Sequence, residues 1–278
     1  MTLHDALVQG TKLLQDAGIA VPRLTAEVLL CHAIHCERPF LYAHPEQELR
    51  EVQWIHYGRY LHERLNGKPT QYITGRQEFY GREFRVTSDV LIPRQETELV
   101  VETALEVGRG ARRILDVGAG SGAIDVTLQL ETQATVCGTD ISAAALAIAA
   151  ENAQKLGAQV EFVCCDLMSA IAARSMDVIV SNPPYVPLTE RSSLQREVRD
   201  HEPGAALFAG PTGFEIYERL VVEAERVLCP GGWMVLELGY KSRDRVLGMF
   251  GSRWRDVRVV PDLAGIPRVL AARMEGER

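Results

Sequence analysis

Through the first seventy residues, apolar positions recur at the spacing of amphipathic helices, and no alternating strand pattern interrupts them. Thr2 and Asp5 have the spacing of a capping box, so a first helix is expected to begin there. Pro22 and Pro45 suit the first turns of a second and a third helix. The pattern therefore predicts a small helical-bundle domain over residues 1–70.

The hydrophobic pattern then changes. Aromatic and β-branched residues predict a β-hairpin linker over residues 71–90. In the rest of the chain, short apolar runs alternate with helical stretches, which is typical of βαβ units around a parallel sheet. Strands are predicted at residues 114–117, 135–139, 160–164, 178–180 and 234–238. Two further runs, 257–260 and 269–272, are predicted to pair as an antiparallel edge, so residues 91–278 form an α/β domain.

Composition narrows the class of protein. The 278 residues are 46% hydrophobic and 24% charged, which is enough to bury the cores of two domains. The chain has no basic segment leading into an apolar run and no stretch of about 18 apolar residues, so we expect a cytoplasmic protein without membrane contact. A net charge of -7 disfavours nucleic acid as a partner. The six cysteines form no CxxC pair and are expected to be reduced.

One cysteine and histidine cluster invites a metal interpretation. It consists of Cys31, His32, His35 and Cys36 within a single predicted helix. Four ligands on one helix do not easily converge on one ion, because the two pairs at helical spacing point in different directions. We therefore expect no metal and interpret the cysteines as small buried hydrophobes.

A glycine-rich loop follows the first strand of the α/β domain and is expected to hold a cofactor. Its sequence is Asp116-Val117-Gly118-Ala119-Gly120-Ser121-Gly122. Missing side chains allow a ligand to approach the backbone closely. Asp140, at the end of the next strand, is placed to accept hydrogen bonds from ribose hydroxyls. NAD and S-adenosylmethionine both carry that ribose, so the loop alone leaves both cofactors open, and a plain tight turn is the simplest alternative.

Three further features favour S-adenosylmethionine. Asp116, directly before the glycines, suits a cofactor with an ammonium and a sulfonium better than one with a pyrophosphate. Asp166 and Leu167 end the third strand, where they are expected to contact the adenine amino group and ring face, although an acid there is also a common helix cap. The loop after the fourth strand, Asn182-Pro183-Pro184-Tyr185, has no use in a dehydrogenase.

The loop at residues 182–185 has the groups that a planar acceptor nitrogen requires. Methyl transfer from a sulfonium is an in-line displacement, so the nitrogen must be held in one orientation. The Asn182 side-chain oxygen and the Pro183 carbonyl oxygen are expected to accept its two N–H bonds, while Tyr185 covers the flat group. Such acceptors stabilise positive charge that develops on the nitrogen. The alternative is a proline turn that ends a strand.

With these two loops, four further segments give the chain a resemblance to the HemK/PrmC family, the methyltransferases of peptide chain release factors. They are Pro69-x-Gln71-Tyr72-Ile73-x-Gly75, Leu91-Ile92-Pro93-Arg94-x-Glu96-Thr97-Glu98, Glu202-Pro203-x-x-Ala206-Leu207 and Asp262-Leu263-Ala264-Gly265-x-x-Arg268. The resemblance spans nearly the whole chain. It implies a helical substrate-recognition domain, a hairpin linker and a seven-stranded Rossmann-like class I methyltransferase domain.

The resemblance also implies a reaction and a site. A methyl group is expected to pass from S-adenosylmethionine to the side-chain amide nitrogen of the glutamine in the Gly-Gly-Gln motif of a release factor, leaving S-adenosylhomocysteine. Residues 118–122, Asp140, Leu167 and Asn182 are expected to contact the cofactor, and residues 182–185 the glutamine. Leu167 stands where some relatives carry an aromatic residue. Asp125 stands where a small or apolar residue is expected.

Two other functions remain open from the sequence. An exocyclic amino group of adenine or guanine presents the same planar donors to Asn182 and Pro183, so a nucleic acid methyltransferase is the first alternative. The acidic balance and the helical first domain speak against it. A non-catalytic adaptor with a methyltransferase fold is the second alternative, and the intact Asn182 loop argues against it.

Overall fold

The computed structural model describes residues 1–276, which form two compact units. The first unit comprises Met1–Arg76 together with Gln195–His201, and the second comprises the other described residues. The last two positions of the predicted α/β domain, residues 277 and 278, lie outside the described range. Within that range, no helix is both long and apolar enough to cross a lipid bilayer.

The regular elements follow one another in a clear order. The helices are α1 (Leu3–Asp16), α2 (Pro22–Ile34), α3 (Arg38–Ala43), α4 (Glu51–Leu65), α5 (Thr70–Thr74), α6 (Glu98–Val107), α7 (Ala123–Glu131), α8 (Ala143–Leu156), α9 (Arg196–His201), α10 (Gly204–Leu207), α11 (Glu215–Val227) and α12 (Arg243–Leu247). The strands are β1 (Arg76–Phe79), β2 (Arg82–Arg85), β3 (Arg113–Val117), β4 (Thr135–Asp140), β5 (Val160–Cys164), β6 (Met176–Ser181), β7 (Val186–Pro187), β8 (Phe208–Gly210), β9 (Leu228–Glu237), β10 (Trp254–Pro261) and β11 (Pro267–Met274).

The start of α1 is capped by its own side chains and by a neighbouring segment. The predicted capping box is present: the Asp5 N–H donates to Thr2 Oγ1 at 3.1 Å, and the Thr2 N–H donates to Asp5 Oδ2 at 3.4 Å. The His4 N–H, which has no partner within the helix, donates to the Pro45 carbonyl at 3.0 Å. The prediction that Pro45 begins a helix is therefore wrong. Its segment caps α1, and the third long helix begins at Glu51.

The core of the first unit contains a close contact at a glycine. Gly10 on α1 faces Tyr57 on α4, whose side chain is completely buried. A β-carbon at Gly10 would overlap the Tyr57 hydroxyl, so glycine allows the two helices to approach. Leu29 and Leu30 of α2 are completely buried in the same cluster. A single added methyl group is therefore expected to disturb the packing of three helices.

The second unit is built on a seven-stranded sheet in the order β10-β11-β9-β6-β3-β4-β5. Strands β9, β6, β3, β4 and β5 are parallel, whereas β11 is antiparallel to both of its neighbours. Ile114 and Leu115, successive residues of β3, belong to two different buried clusters, as expected for a sheet covered on both faces. The predicted Rossmann-like α/β fold with an antiparallel edge is confirmed.

The hairpin before this sheet is shorter than the sequence pattern suggests. Strands β1 and β2 pair over residues 76–85, whereas residues 70–74 form α5. Pro69 is the residue that precedes α5, and Gly75 ends it in the left-handed region with φ of 73°. The apolar residues at 70–74 therefore belong to a short helix, and only those from residue 76 onward belong to the hairpin.

The close contact at Gly10 leads to a stability prediction. Gly10→Ala is expected to lower the free energy of unfolding by about 1–3 kcal/mol, because the methyl group overfills the space beside Tyr57. Gly58→Ala on α4 is the matched control. Apart from its own helix backbone, nothing in residues 1–276 lies within 4 Å of its β-carbon position, so the better helix propensity of alanine is expected to leave stability equal or raise it by up to about 1 kcal/mol. Urea unfolding followed by circular dichroism measures both, and equal stability of the two variants would contradict the prediction.

Candidate active site

A cavity of about 420 Å³ lies at the carboxyl ends of the central parallel strands. Seven of the predicted site residues line it, namely Gly118, Gly120, Asp140, Asp166, Leu167, Asn182 and Pro184. Other predicted residues lie outside its lining, namely Asp116, Ala119, Ser121, Gly122, Pro183 and Tyr185. The structure thus brings the glycine loop and the Asn182 loop to one cavity, and it places several of their residues behind that surface.

The glycine loop is bound to the end of β4 through its main chain. The N–H groups of Gly118 and Ala119 both donate to the Thr139 carbonyl, at 2.8 and 2.9 Å. Gly118, Gly120 and Gly122 have φ values of 87°, 55° and 82°, a region that side chains strongly disfavour. The loop therefore needs glycine for its own backbone conformation as well as for the approach of a ligand.

Asp140 joins the glycine loop to the helix that follows β4. Its Oδ2 accepts the Gly120 N–H at 3.0 Å, and its Oδ1 accepts the Ser142 N–H at 2.8 Å. Each carboxylate oxygen has a second lone pair, and the residue is only partly buried in the cavity wall. Asp140 is therefore able to accept further hydrogen bonds from a ligand while it holds the loop.

Two carboxylates, Asp116 and Asp125, lie completely buried in the second unit. Within residues 1–276, neither oxygen of Asp116 has a hydrogen-bond partner. Burial raises the pKa of Asp116 well above its ordinary value, and the nearby carboxylates of Asp125 and Asp140 raise it further. Burial likewise raises the pKa of Asp125 to about 7, although its Oδ1 accepts the Val126 N–H. Asp125 thus belongs to the electrostatic environment of Asp116.

Asp166 and Leu167 lie at the far end of the cavity from the Asn182 loop in the strand order. Asp166 Oδ2 accepts a hydrogen bond from the Arg219 guanidinium at 2.7 Å, and Arg219 also lines the cavity. Leu167 adopts φ of 46°, which is uncommon for a residue with a side chain. A turn therefore follows directly after β5.

Some residues of the loop at 182–185 line the cavity, and others are packed in the protein interior. Asn182 and Pro184 line the cavity, whereas Pro183 is buried. Tyr185 packs against the buried cluster beneath the sheet, and burial raises its pKa to about 12. A β-carbon at Gly239, just after β9, would lie 2.8 Å from the Tyr185 ring. Gly239 therefore leaves the space that the tyrosine ring occupies.

Several residues of the site were not predicted from the sequence. Thr97 accepts a hydrogen bond from the Asn182 side-chain nitrogen at 3.1 Å, and Arg219 pairs with Asp166 across the cavity wall. Thr97 lies within the segment at residues 91–98 that supports the family resemblance, so a signal for it was present. Arg219 lies in an ordinary amphipathic helix, and no sequence feature distinguishes it.

The cysteine and histidine cluster belongs to the first unit. Cys31 is buried in α2, and burial raises the pKa of its thiol to about 12. The His32 ring lies 4.9 Å from the Tyr60 ring, centroid to centroid. In the part of the chain that the structure describes, no three His, Cys, Asp or Glu side chains are grouped closely enough to hold a metal ion.

Comparison with known proteins decides the family. Residues 5–75 match the PrmC N-terminal domain, and residues 95–198 match the methyltransferase small domain. A release factor glutamine methyltransferase of Koribacter versatilis is 46% identical, over 98% of this chain and 99% of that protein. The chain belongs to the release factor glutamine methyltransferase family. The enzyme of that name from Bacillus subtilis is 39% identical, with 98% and 97% of the two chains covered.

Solved structures agree with this family at the level of the fold. A methyltransferase from Pyrococcus furiosus covers 71% of this chain and 91% of its own, with a TM-score of 0.50 and 16% identity. A 16S rRNA methyltransferase from Thermus thermophilus, in complex with AdoMet and guanosine, covers 72% of this chain and 50% of its own, with a TM-score of 0.50 and 22% identity. These similarities support the methyltransferase fold alone.

The contact between Gly239 and Tyr185 predicts a specific effect on this family member. Gly239→Ala is expected to displace the Tyr185 ring, because the new methyl group would lie 2.8 Å from its nearest carbon. Methyl transfer should fall by roughly tenfold, as when a reacting group is held slightly out of line. Gly251→Ala is the matched control, because its β-carbon position meets nothing within 4 Å among the described residues beyond its chain neighbours. Equal transfer rates in the two variants, with both folded, would show that the position of Tyr185 does not matter.

Proposed function

We propose that the protein transfers a methyl group from S-adenosylmethionine to the side-chain amide nitrogen of the glutamine in the Gly-Gly-Gln motif of peptide chain release factors. One observation carries the proposal: the glycine loop with Asp140 and the Asn182 loop line the same cavity. The names of the relatives, release factor glutamine methyltransferase, support this acceptor. We place the reaction in the cytoplasm, where translation terminates.

The chain has a fitting set of groups for S-adenosylmethionine. This cofactor supplies a methyl group on a sulfonium, together with an ammonium, a ribose and an adenine. Asp140 accepts hydrogen bonds from the ribose hydroxyls while it holds Gly120. Asp166 and Leu167 contact the adenine. Asp116 is buried behind the cavity lining, where a cationic group bound in the cavity favours the charged form of its carboxylate. Ala119, Ser121 and Gly122 act behind the cavity surface by shaping the loop.

The acceptor half of the site orients the amide. Asn182 Oδ1 and the Pro183 carbonyl accept the two N–H bonds of the glutamine, which leaves its nitrogen lone pair directed at the methyl donor. Pro183 and Pro184 keep the loop stiff, and Tyr185 supports the loop from its packed position. Positive charge that develops on nitrogen is stabilised by these fixed oxygen dipoles, so a strong base is not required.

The first unit has a different role in this proposal. Its helices carry none of the groups that line the cavity, and a glutamine side chain alone offers little surface for selective binding. We therefore assign the first unit to recognition of the release factor at a distance from the methylated glutamine. Remote binding of this kind contributes the energy that holds the reacting amide in line.

The function is tested by mixing the purified protein with methyl-labelled S-adenosylmethionine and four acceptors. These are an intact release factor, a short peptide with the Gly-Gly-Gln motif, total RNA and double-stranded DNA. We expect label in the intact factor, much slower labelling of the peptide, and none in nucleic acid. Label in nucleic acid alone would replace the proposal by the amino-group methyltransferase. Absence of label in every pool would favour the non-catalytic adaptor.

Asn182→Ala is expected to lower methyl transfer to the release factor by about a hundredfold or more, as when an oriented catalytic hydrogen-bond partner is lost. Affinity for S-adenosylmethionine should change little, because the glycine loop and Asp140 remain. Single-turnover labelling measures the first quantity and calorimetry the second. If the variant transfers methyl groups as fast as the wild type, Asn182 has no part in the reaction.

Asp140→Ala is expected to weaken S-adenosylmethionine binding by roughly 1–3 kcal/mol, since both the ribose and the Gly120 N–H lose a charged acceptor. The matched control is Asp244→Ala, which removes the same charge from a side chain that is 90% exposed on the second unit. Calorimetry with S-adenosylhomocysteine and with S-adenosylmethionine compares the two variants. Equal affinities would reject the assignment of Asp140 to the ribose.

A further inference from the structure

Behind the acceptor loop, hydrogen bonds connect Asn182 to a buried carboxylate. Asn182 Nδ2 lies 3.1 Å from Thr97 Oγ1, and Thr97 Oγ1 lies 2.6 Å from Glu237 Oε2. Thr97 belongs to the short 3₁₀ helix before α6, and Glu237 is the last residue of β9. Both side chains are almost completely buried, at 4% and 2% exposure. Solvent is therefore a poor substitute for either partner.

The direction of each hydrogen bond in this chain follows from chemistry. An ionised carboxylate only accepts hydrogen bonds, so Thr97 must donate its single hydroxyl proton to Glu237. The Thr97 oxygen is then left to accept, and its contact with Asn182 requires the NH₂ end of the asparagine amide. The carbonyl end of that amide is consequently the end available to the cavity that Asn182 lines.

We propose that Thr97 and Glu237 are positioning residues that fix the amide of Asn182 with its oxygen toward the acceptor. This inference rests on the proposed function, because it concerns the orientation of the glutamine nitrogen. An asparagine amide has nearly the same shape in its two flipped orientations, and only one of them presents an acceptor to an N–H donor. The buried carboxylate therefore selects the productive orientation without contacting the substrate.

Glu237 is itself held in place by the sheet. It pairs with Val269 of β11, and its carbonyl oxygen accepts the Tyr217 hydroxyl at 2.8 Å. Arg268 and Arg94 favour the charged form of its side chain, whereas Glu96 disfavours it. Glu237 in turn disfavours the ionisation of Tyr185 and Tyr217. Burial outweighs the attractions and raises the pKa of Glu237 to about 7.

Protonation of Glu237 removes the directional constraint. A neutral carboxylic acid is able to donate to Thr97, which frees the threonine hydroxyl to donate to a flipped Asn182 amide. Because the pKa of Glu237 is raised to about 7, the selecting carboxylate is present above that pH and is lost as the pH falls through it. The rate of methyl transfer should therefore fall as the pH is lowered through about 7.

The first test compares two substitutions at one position. Thr97→Val keeps the shape of the side chain without the hydroxyl, and kcat with the release factor should fall roughly tenfold, as expected for a lost hydrogen bond. The KM values for the release factor and for S-adenosylmethionine should stay within about twofold of the wild type. Thr97→Ser, which keeps the hydroxyl, should restore most of the rate. A serine variant as slow as the valine variant, with both folded, would overturn the proposal.

The second test asks whether Thr97 acts through Asn182. In the Asn182→Ala background, Thr97→Val should have almost no further effect on kcat, because there is no amide left to orient. A structural effect of Thr97 on the fold would instead multiply with the effect of Asn182→Ala. Independent, multiplicative losses would therefore contradict the positioning role.

The third test concerns the pH profile. Glu237→Gln should lower kcat by a few-fold, since a glutamine both accepts and donates, and it should abolish the decline of kcat near pH 7. Burial also raises the pKa of Asp125 to about 7 and that of Asp116 well above its ordinary value, so the substitution at Glu237 is needed to assign the decline. If Glu237→Gln keeps the wild-type pH dependence, the titrating group is not Glu237 and the selection mechanism is wrong.

A final measurement separates this inference from the proposed function. The side-chain NH₂ signals of Asn182 in ¹⁵N-labelled protein are identified by their loss in Asn182→Ala. Their exchange with solvent should be slower in the wild type and in Thr97→Ser than in Thr97→Val, whether or not any methyl group is transferred. Equal exchange in all three proteins would overturn the inference. A wild type that fails to label the release factor would overturn the proposed function instead.

Discussion

The site depends on the register of β3 with its two neighbours. Asp116 of β3 lies opposite Gly138 of β4 on one side and Val180 of β6 on the other. Because parallel strands end at the same edge of a sheet, this register brings the glycine loop, Asp140 and Asn182 to one edge. A shift by one residue in β6 would move its buried side chains to the opposite face and carry Asn182 away from the cavity. The cofactor half and the acceptor half are thus aligned by main-chain hydrogen bonds before any side chain acts.

Burying a carboxylate costs free energy, and the structure offsets that cost more fully for Glu237 than for Asp116. Glu237 has the Thr97 hydroxyl and a nearby arginine, Arg268, whereas Asp116 has no hydrogen-bond partner within the described residues. An unpaired buried carboxylate is costly in its charged form, which is why its pKa rises. The asymmetry fits the proposed roles, because Glu237 acts on a neighbouring side chain, whereas Asp116 lies behind the cavity proposed for the cationic cofactor.

Much of this architecture follows from local sequence patterns. Strands such as β3 and β4 are short apolar runs bounded by glycine and acid, so their positions and their parallel pairing are predictable from periodicity. The helix expected at Pro45 is absent because carbonyl groups of that segment accept hydrogen bonds from the first N–H groups of α1. The spacing of apolar residues does not reveal such a contact between distant segments. Asp140, Asn182 and Leu167 follow strand ends, a position that predicts a common edge of the sheet, and all three line the cavity. Arg219 was not predicted, since its role depends on which face of α11 meets Asp166.

The end of β9 and the residues just after it support the loop at residues 182–185. The last residue of β9 is Glu237, and Gly239 just beyond the strand leaves space for the Tyr185 ring. Arg268 near the start of β11 stabilises this end. Its carbonyl accepts the Leu238 N–H, and its guanidinium donates to Asp262 at 2.9 Å.

The segment from Asp262 to Arg268 takes part in this connection although it does not line the cavity. Asp262 also accepts the Ile266 N–H, so the turn between β10 and β11 is closed on itself before β11 pairs with β9. A fixed β11 sets the position of Glu237, and Glu237 through Thr97 sets the orientation of Asn182. A continuous set of hydrogen bonds therefore connects the antiparallel edge of the sheet to the side-chain amide of Asn182. The parallel strands on the other side hold the glycine loop.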